Sequence, residues 1–514
     1  MAESPDYPAV DFRAQPDRPE HWDQMAEPPR RRNADPLAVV ALIAIATFAV
    51  LGIGGPLIGH GVFAGTDELM RLAPYQGAGL DRGPVQSYYL DDTWDSGIPN
   101  TLLLADSLRA GQLPAWNPYA VAGSPLAAVP TTAALSPATV AYYLLPGPLA
   151  PGYLKLIEIA LAAGGCLLFL RRLGLGRPAA LVGGLVFASS AFLISWTNWP
   201  QTRVAVLVPF LFWALERLVQ RRQVSDGALV ALAVAGMLLG GFPAVTGYAL
   251  FLGAAYLLVR AVAEYRPAAG RAGQWRRLAG VLAGGAAAVL GGAALSAVQL
   301  LPFAAFLGNS YVIDRGQSPA DHLPVQSLIT TIAPWALGSV REDRPPSWYL
   351  DTNMIESLSY LGAAALVLVV TAIAAPRVAR GMLPRGVWAF LVVATLAGFV
   401  VIYGGGPALA ALQRLPVLFA DNYVGRARSV LGFLLAALAA VGLEVLLRRD
   451  RVRGRARWFG LGFGVLVWAA VALLGGWLWQ QARHTAVAAD EQARDGLSRL
   501  ALLDREMAHG LGFL

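Results

Sequence analysis

Cysteine is nearly absent, with Cys166 alone in 514 residues. A single thiol inside an apolar run excludes a disulfide scaffold and a cysteine-ligated metal centre. Lysine is as scarce: Lys155 is the one lysine among 40 basic residues, so arginine carries the positive charge. Charged residues are only 14% of the chain against 56% hydrophobic, and mean hydropathy is +0.52. Soluble domains hold about 25% charged residues, which excludes a water-soluble enzyme. The histidines, His21, His60, His322, His484 and His509, make no metal-ligand spacing, and there is no Walker loop. No internal repeat is evident, which argues against an inverted-repeat transporter. The net charge of +7 does not indicate nucleic acid, because the arginines fall between apolar segments, where they report membrane topology.

What is present in quantity is long apolar sequence. Residues 1–36 are polar and rich in proline, acid and arginine, and read as a disordered cytoplasmic tail. Apolar runs then lie at 37–59, 153–170, 178–196, 203–219, 226–242, 245–262, 278–304, 357–375, 387–405, 427–447 and 459–480. A helix needs about 20 apolar residues to cross a bilayer. The expectation is an all-α polytopic membrane protein of about 11 transmembrane helices. Every second connection is arginine-rich: Arg171, Arg172 and Arg177; Arg217, Arg221 and Arg222; Arg260 to Arg277; Arg377, Arg380 and Arg385; and Arg448 to Arg457. The positive-inside rule puts these and the N-terminus in the cytoplasm. The 37–480 membrane part then carries two long outer loops, 60–152 and 305–356, and 481–514 is a short extracytoplasmic segment. The stretch Ala127 to Leu145, interrupted by Pro130 and Pro137, reads as re-entrant or interfacial, since a span there would invert every later loop.

Chemistry-bearing residues collect in the first outer loop. Asp91, Asp92 and Asp95 stand within Tyr88-Tyr89-Leu90-Asp91-Asp92-Thr93-Trp94-Asp95, and Asp67 and Glu68 precede them. Three carboxylates in five residues can supply a general base with a neighbour that tunes it, hold a divalent cation such as Mg or Mn, or form a solvated acidic loop. Trp94, Trp116 and Tyr119 offer aromatic faces of the kind that line sugar sites, with Asn117 beside them. For a phosphate, the outer arginines are Arg203, Arg315, Arg341, Arg344, Arg426 and Arg428; Arg426 and Arg428 equally mark a helix end. Asn198 and Gln201 can bind sugar hydroxyls or satisfy backbone groups at a helix end. Gln299 reads as an amide gluing helices together, and Lys155 with Glu158, three apart, as a pair on a helix surface.

The stretch Arg109-Ala110-Gly111-Gln112-Leu113-Pro114-Ala115-Trp116-Asn117-Pro118-Tyr119, the Gly123-Ser124-Pro125 after it and the acid Asp92 seven residues before Pro99 resemble the YfhO-like family of bacterial polytopic membrane proteins. Arg171-Arg172-Leu173-Gly174-Leu175, Gly240-Gly241-Phe242-Pro243 and Gln299-Leu300-Leu301-Pro302 resemble it too, so the likeness covers about 85–447. It implies a GT-C-like glycosyltransferase of the bacterial cytoplasmic membrane. Such an enzyme takes sugar from a polyprenyl-phosphate donor to a cell-envelope glycan acceptor. The resemblance makes Asp92 the catalytic base, with Asp91 and Asp95 as neighbours; Asp67 and Glu68 are the rival pair, an acid pair after the first span being a GT-C habit. The alternatives are a transporter or flippase of lipid-linked precursors, which calls for ionisable groups at mid-membrane, and a non-catalytic envelope scaffold.

Overall fold

The computed structural model describes residues 35–77, 83–120, 122–266, 273–309, 318, 320–341, 348, 350–415, 418–448 and five positions between 469 and 480. The N-terminal tail, Asp81, Arg315, Arg344, most of the run 459–480 and the segment 481–514 lie outside the described residues.

The principal helices are α1 (Pro36–Leu57), α2 (Ile98–Arg109), α3 (Ala150–Arg172), α4 (Arg177–Ala188), α5 (Pro200–Ala205), α6 (Val208–Arg221), α7 (Val224–Leu238), α8 (Pro243–Tyr265), α9 (Gly273–Leu295), α10 (Ala297–Leu307), α11 (Ala363–Ala374), α12 (Pro376–Met382), α13 (Val387–Phe399) and α14 (Arg428–Leu447). The sheet is one two-stranded ribbon, β1 (Trp116–Asn117) against β2 (Ser124–Pro125). Among the described residues six helices are long and apolar enough to cross a membrane, or up to seven if α11 and α12, which meet at 90°, are one broken span. Several apolar runs are therefore not single rods. The run 178–196 is interrupted at Ser189 and Ser190 and resumes as the short helix Ala191–Ser195. The run 203–219 spreads over α5 and α6, because Pro200 and Pro209 each occupy a first-turn position and start a new helix.

The core helix is α14. It is apolar on every side, and 83% of its membrane-length window is buried, as expected for a helix with neighbours all round. Its closest crossing is with α11, where a Cβ on Gly442 would stand 1.9 Å from the carbonyl oxygen of Leu368. Contact this close between backbones is how helices associate in lipid, where burial of apolar surface gives little drive. Gly442→Ala is expected to destabilise the bundle by about 1–3 kcal/mol or more, read as a lowered thermal midpoint in detergent. By contrast α1 shows Leu42, Ile43, Val50 and Leu51 at its surface, as a lipid-facing helix does.

The arginine-rich connections meet at one end of the bundle. Glu444 accepts from the backbone N–H of Gly176 at 2.8 Å, and Arg448 donates to the carbonyl of Gly174. Arg217 pairs with Asp226 at 2.8 Å. Arg260 holds Glu216 through two hydrogen bonds and reaches the carbonyl of Arg385. Five loops far apart in sequence thus share one face, as the alternation requires.

At the opposite end the stretch 127–145 contains no helix longer than five residues. Its carbonyls, lacking helical partners, are met by side chains from elsewhere in the fold, as backbone away from water demands. Gln299 donates to the carbonyls of Ala127 and Ala128, Arg203 to that of Thr132, and Arg109 to those of Tyr142 and Leu145. Gln299 is glue, joining α10 to this segment. Lys155 and Glu158 do pair, at 3.1 Å, but inside the protein and not on a helix surface; Thr202 donates to Glu158 at 2.6 Å, and Lys155 also donates to the carbonyl of Leu193.

Candidate functional site

After α1 the chain turns at Gly59 and Gly61 and forms a short helix, Thr66–Leu69, that presents Asp67 and Glu68. Gly65 lies against Leu90, where a Cβ would come within 2.9 Å of the leucine side chain, so this helix sits on the segment carrying Asp91. Asp67 accepts from the backbone N–H of Gln86 at 2.5 Å, and Arg341 of the second long loop donates to the Gln86 side chain. The two long loops therefore touch beside the acids.

Glu68 is the perturbed group. Burial foremost, then the charges of Asp91 and Asp67, hold its carboxyl above the usual glutamate range; the Trp94 indole and Arg71 pull only partly back. Trp94 faces it, yet Nε1 of Trp94 and Oε2 of Glu68 are both buried without a hydrogen-bond partner. Asp92, by contrast, is exposed, as are Asp91 and Asp95, and it stands just ahead of a wide helical turn, Thr93–Gly97, that leads into α2. The contiguous acid triplet does not converge: among the described residues no three His, Cys, Asp or Glu side chains are grouped to hold a metal ion. The expected cation therefore has no donor set at Asp91, Asp92 and Asp95. What the fold gathers is Glu68, Asp67 and Asp91, from two segments.

The aromatic loop is a rigid hairpin. Trp116 lies over Gly123, whose φ of +101° and lack of a Cβ make room for the indole; a Cβ there would fall 2.5 Å from the ring nitrogen. Asn117 spends both ends of its amide on structure, donating to Asn100 and accepting from the backbone of Tyr119, each at 2.8 Å. Trp116 and Tyr119 turn outward, 55% and 83% exposed.

A second polar group forms around the turn between Trp196 and Pro200. Asn198, in a left-handed conformation, donates to the carbonyl of Phe63 at 2.8 Å, and its own carbonyl would lie 3.8 Å from a Cβ on Gly97. The turn is thereby tied to both acid-bearing segments. Across it Arg426 packs over the rings of Trp196 and Phe242, 5.5 and 5.2 Å from their centroids, and puts Nε and Nη2 on one oxygen of Glu356, at 3.0 and 2.6 Å. Sequence reasoning passed over Glu356. Its visible signal, Asn353 three residues ahead, marks a helix cap, and that cap forms, Asn353 accepting from the Glu356 N–H. Of the other expected phosphate ligands, Arg428 and Arg203 are occupied by the fold. Arg428 is buried and donates to the carbonyls of Gly425, Leu358 and Ile355; Arg203 is 3% exposed and directed at Thr132.

Beside Arg426, between α8, α13 and α14, runs an apolar cavity of about 450 Å³ lined by Tyr248, Phe251, Ala394, Phe419, Val424 and Leu434 among others. Tyr248 links the two, its hydroxyl donating to the carbonyls of Asn422 and Tyr423.

No family model matches the chain, and no curated protein does. Among solved structures it is similar to the arabinofuranosyltransferase AftD from Mycobacteria, with 16% identity over 76% of this chain and a TM-score of 0.40. The chain spans 27% of that protein's length. A likeness that loose fixes neither fold nor activity.

The described geometry comprises a half-buried carboxylate among other acids, an arginine on aromatic faces, and an apolar cavity beside it. Such a set can deprotonate a hydroxyl, bind an anion and hold a hydrocarbon chain.

Proposed function

We propose that this protein is a membrane glycosyltransferase of GT-C type that moves a sugar from a polyprenyl-phosphate donor to a cell-envelope acceptor on the extracytoplasmic face. The observation that carries the reading is the acid group of Glu68, Asp67 and Asp91 at the end of the bundle opposite the arginine-rich loops. The positive-inside rule, applied to those arginine connections, supports an extracytoplasmic position for that group. The resemblance of the first loop to YfhO-like proteins points the same way.

In this reading Glu68 removes the proton of an acceptor hydroxyl as that oxygen attacks the anomeric carbon and the bond to the phosphate breaks. A base works best with a pKa near the operating pH, and Glu68 is the acid whose surroundings move it in that direction. Asp92, which the resemblance makes the base, stands exposed to solvent. The apolar cavity takes part of the lipid chain, and Arg426, ion-paired to Glu356, lies beside it.

The test is purified protein in lipid nanodiscs with radiolabelled polyprenyl-phosphate sugars and envelope glycan. Transfer from at least one donor is expected. Movement of donor across sealed vesicles without transfer would establish the flippase reading instead.

A further inference from the structure

Buried polar atoms without partners are few in folded proteins, and each calls for a cause such as strain, water or an ion. Two of them belong to residues that line one cavity. Where α14 begins, a space of about 20 Å³ is lined by Ser190, Phe192, Thr331, Ser359, Tyr403 and Arg428 among others. Ser190 and Thr331 are 3% and 8% exposed, and the hydroxyl oxygen of each is buried with no hydrogen-bond partner. The Ser190 hydroxyl faces α14: a Cβ on Gly432, another lining residue, would stand 3.8 Å from its Oγ. The wall is assembled from distant segments. Ser190 sits at the break before the short helix Ala191–Ser195, Thr331 ends a short 3-10 helix, Val325–Thr331, in the second long loop, and Tyr403 lies in a wide helical turn, Val400–Gly404, after α13.

The hydrogens on this wall can be assigned. Ser359 has one hydroxyl hydrogen, and it goes to the carbonyl of Ser357 at 3.1 Å. The hydroxyls of Ser359 and Tyr403 lie 2.5 Å apart, so the hydrogen between them is the tyrosine's, and the Tyr403 oxygen is left as an acceptor. Arg428 places Nε, Nη1 and Nη2 on the carbonyls of Gly425, Leu358 and Ile355. What remains among the hydroxyls is two donors, Ser190 and Thr331, and one acceptor, Tyr403. A water molecule matches all three, accepting two hydrogen bonds and donating one, and about three is usual for a buried water. The volume suits it, since one water needs roughly 10–15 Å³. A halide would accept from the two hydroxyls but meet the lone pairs of Tyr403, and a metal cation would lie against the charge of Arg428.

We infer that this cavity binds one structural water, which accepts from Ser190 and Thr331, donates to Tyr403, and fastens the second long loop to the bundle at the break in the run 178–196. The break has one direct fastening already, the Ala191 N–H donating to the carbonyl of Tyr360 at 2.8 Å, and the water adds the side chains around it. The same loop carries Arg341 to Gln86, whose backbone N–H meets Asp67. The water therefore supports the contact between the two long loops beside the acids. The inference needs no assumption about the reaction.

The sign of a melting shift tests it. Ser190→Ala and Thr331→Val each remove one hydroxyl and keep most of the bulk. With a water bound, each takes away one of its three partners and is expected to lower the midpoint in nanodiscs by roughly 1–3 °C. The double variant is expected to lower it by less than the sum, because both residues act through one molecule. Hydroxyls that lack a partner give the opposite sign, since replacing them by apolar groups of the same shape stabilises. A rise or no change in either single variant, or single effects that add in full, overturns the site. The wild-type midpoint is expected to be equal in chloride, bromide and gluconate at one ionic strength; a rise specific to the halides overturns the water in favour of an anion. A cryo-EM map of the wild type, fine enough to show ordered water, is expected to hold a density peak within hydrogen-bond distance of Ser190, Thr331 and Tyr403. A cavity without that peak overturns the site whatever the variants do.

Discussion

Glu68→Gln is expected to lower sugar transfer roughly 10²- to 10⁴-fold, the usual contribution of a positioned base, while Asp92→Asn leaves most of the rate. The contrast follows from environment, both residues being carboxylates in the same loop. Burial and the charges of Asp91 and Asp67 keep Glu68 protonated at a pH where an ordinary glutamate is ionised. The rate of the wild type should therefore rise with pH along a limb lying above the usual glutamate range. Asp91→Asn removes one of the raising charges and should move that limb to lower pH.

Stability carries the opposite sign. A carboxyl whose folded pKa is raised favours the folded state only while it is protonated; that contribution is present below the unfolded glutamate value and is lost as pH rises through the folded one. Glu68→Gln should thus melt higher than wild type at neutral pH and show no such advantage in acid. A variant that gains stability as it loses transfer separates a catalytic role from a structural one. Melting curves and initial rates of the same preparations across pH check both.

Arg260→Ala is expected to cost about 3–5 kcal/mol, the largest loss of stability among single ion-pair substitutions here. Arg260 and Glu216 are both fully buried, joined at 2.8 Å, and Tyr256 adds its hydroxyl to Glu216 at 2.7 Å. Truncating the arginine leaves Glu216 charged inside the bundle, with only Tyr256 and the Gln220 amide as donors. The same substitution releases the carbonyl of Arg385, so α6, α8 and the turn between α12 and α13 lose a common fastening. Asp106→Asn is the comparison. Its pair with Arg109 is 69% exposed on the aspartate side, and such pairs contribute about 0–1 kcal/mol. Reversible unfolding in mixed detergent would measure the difference.

That the arginine-rich connections share one end of the bundle was legible in the sequence, because it depends on the alternation of apolar runs and arginines, which needs no tertiary knowledge. The interruptions were less so. Ser189 and Ser190 lie inside an apolar run that hydropathy reads as continuous, and the break appears only where the chain packs against the segment near Tyr360, whose carbonyl takes the Ala191 N–H. The site was legible in its parts. Asp91, Asp92 and Asp95 draw attention by adjacency, but on a helical turn neighbouring side chains point in different directions. Glu68 and Asp91, 23 positions apart, meet because Gly65 lets its helix settle on Leu90. The arginines show the same limit. Charge beside a membrane suggests phosphate, whereas Arg203 and Arg428 serve carbonyls that irregular backbone would otherwise bury unpaired. Only contact geometry separates them from Arg426.

The claim on which the functional reading stands is that the Glu68 end of the bundle faces the exterior of the cell. Replacing Cys166 by alanine and Tyr88, exposed beside the acids, by cysteine gives a single thiol for a membrane-impermeant maleimide. Intact cells are predicted to label fully from outside, with no further gain on permeabilisation. Labelling that appears only after permeabilisation would place the acids in the cytosol and contradict the account.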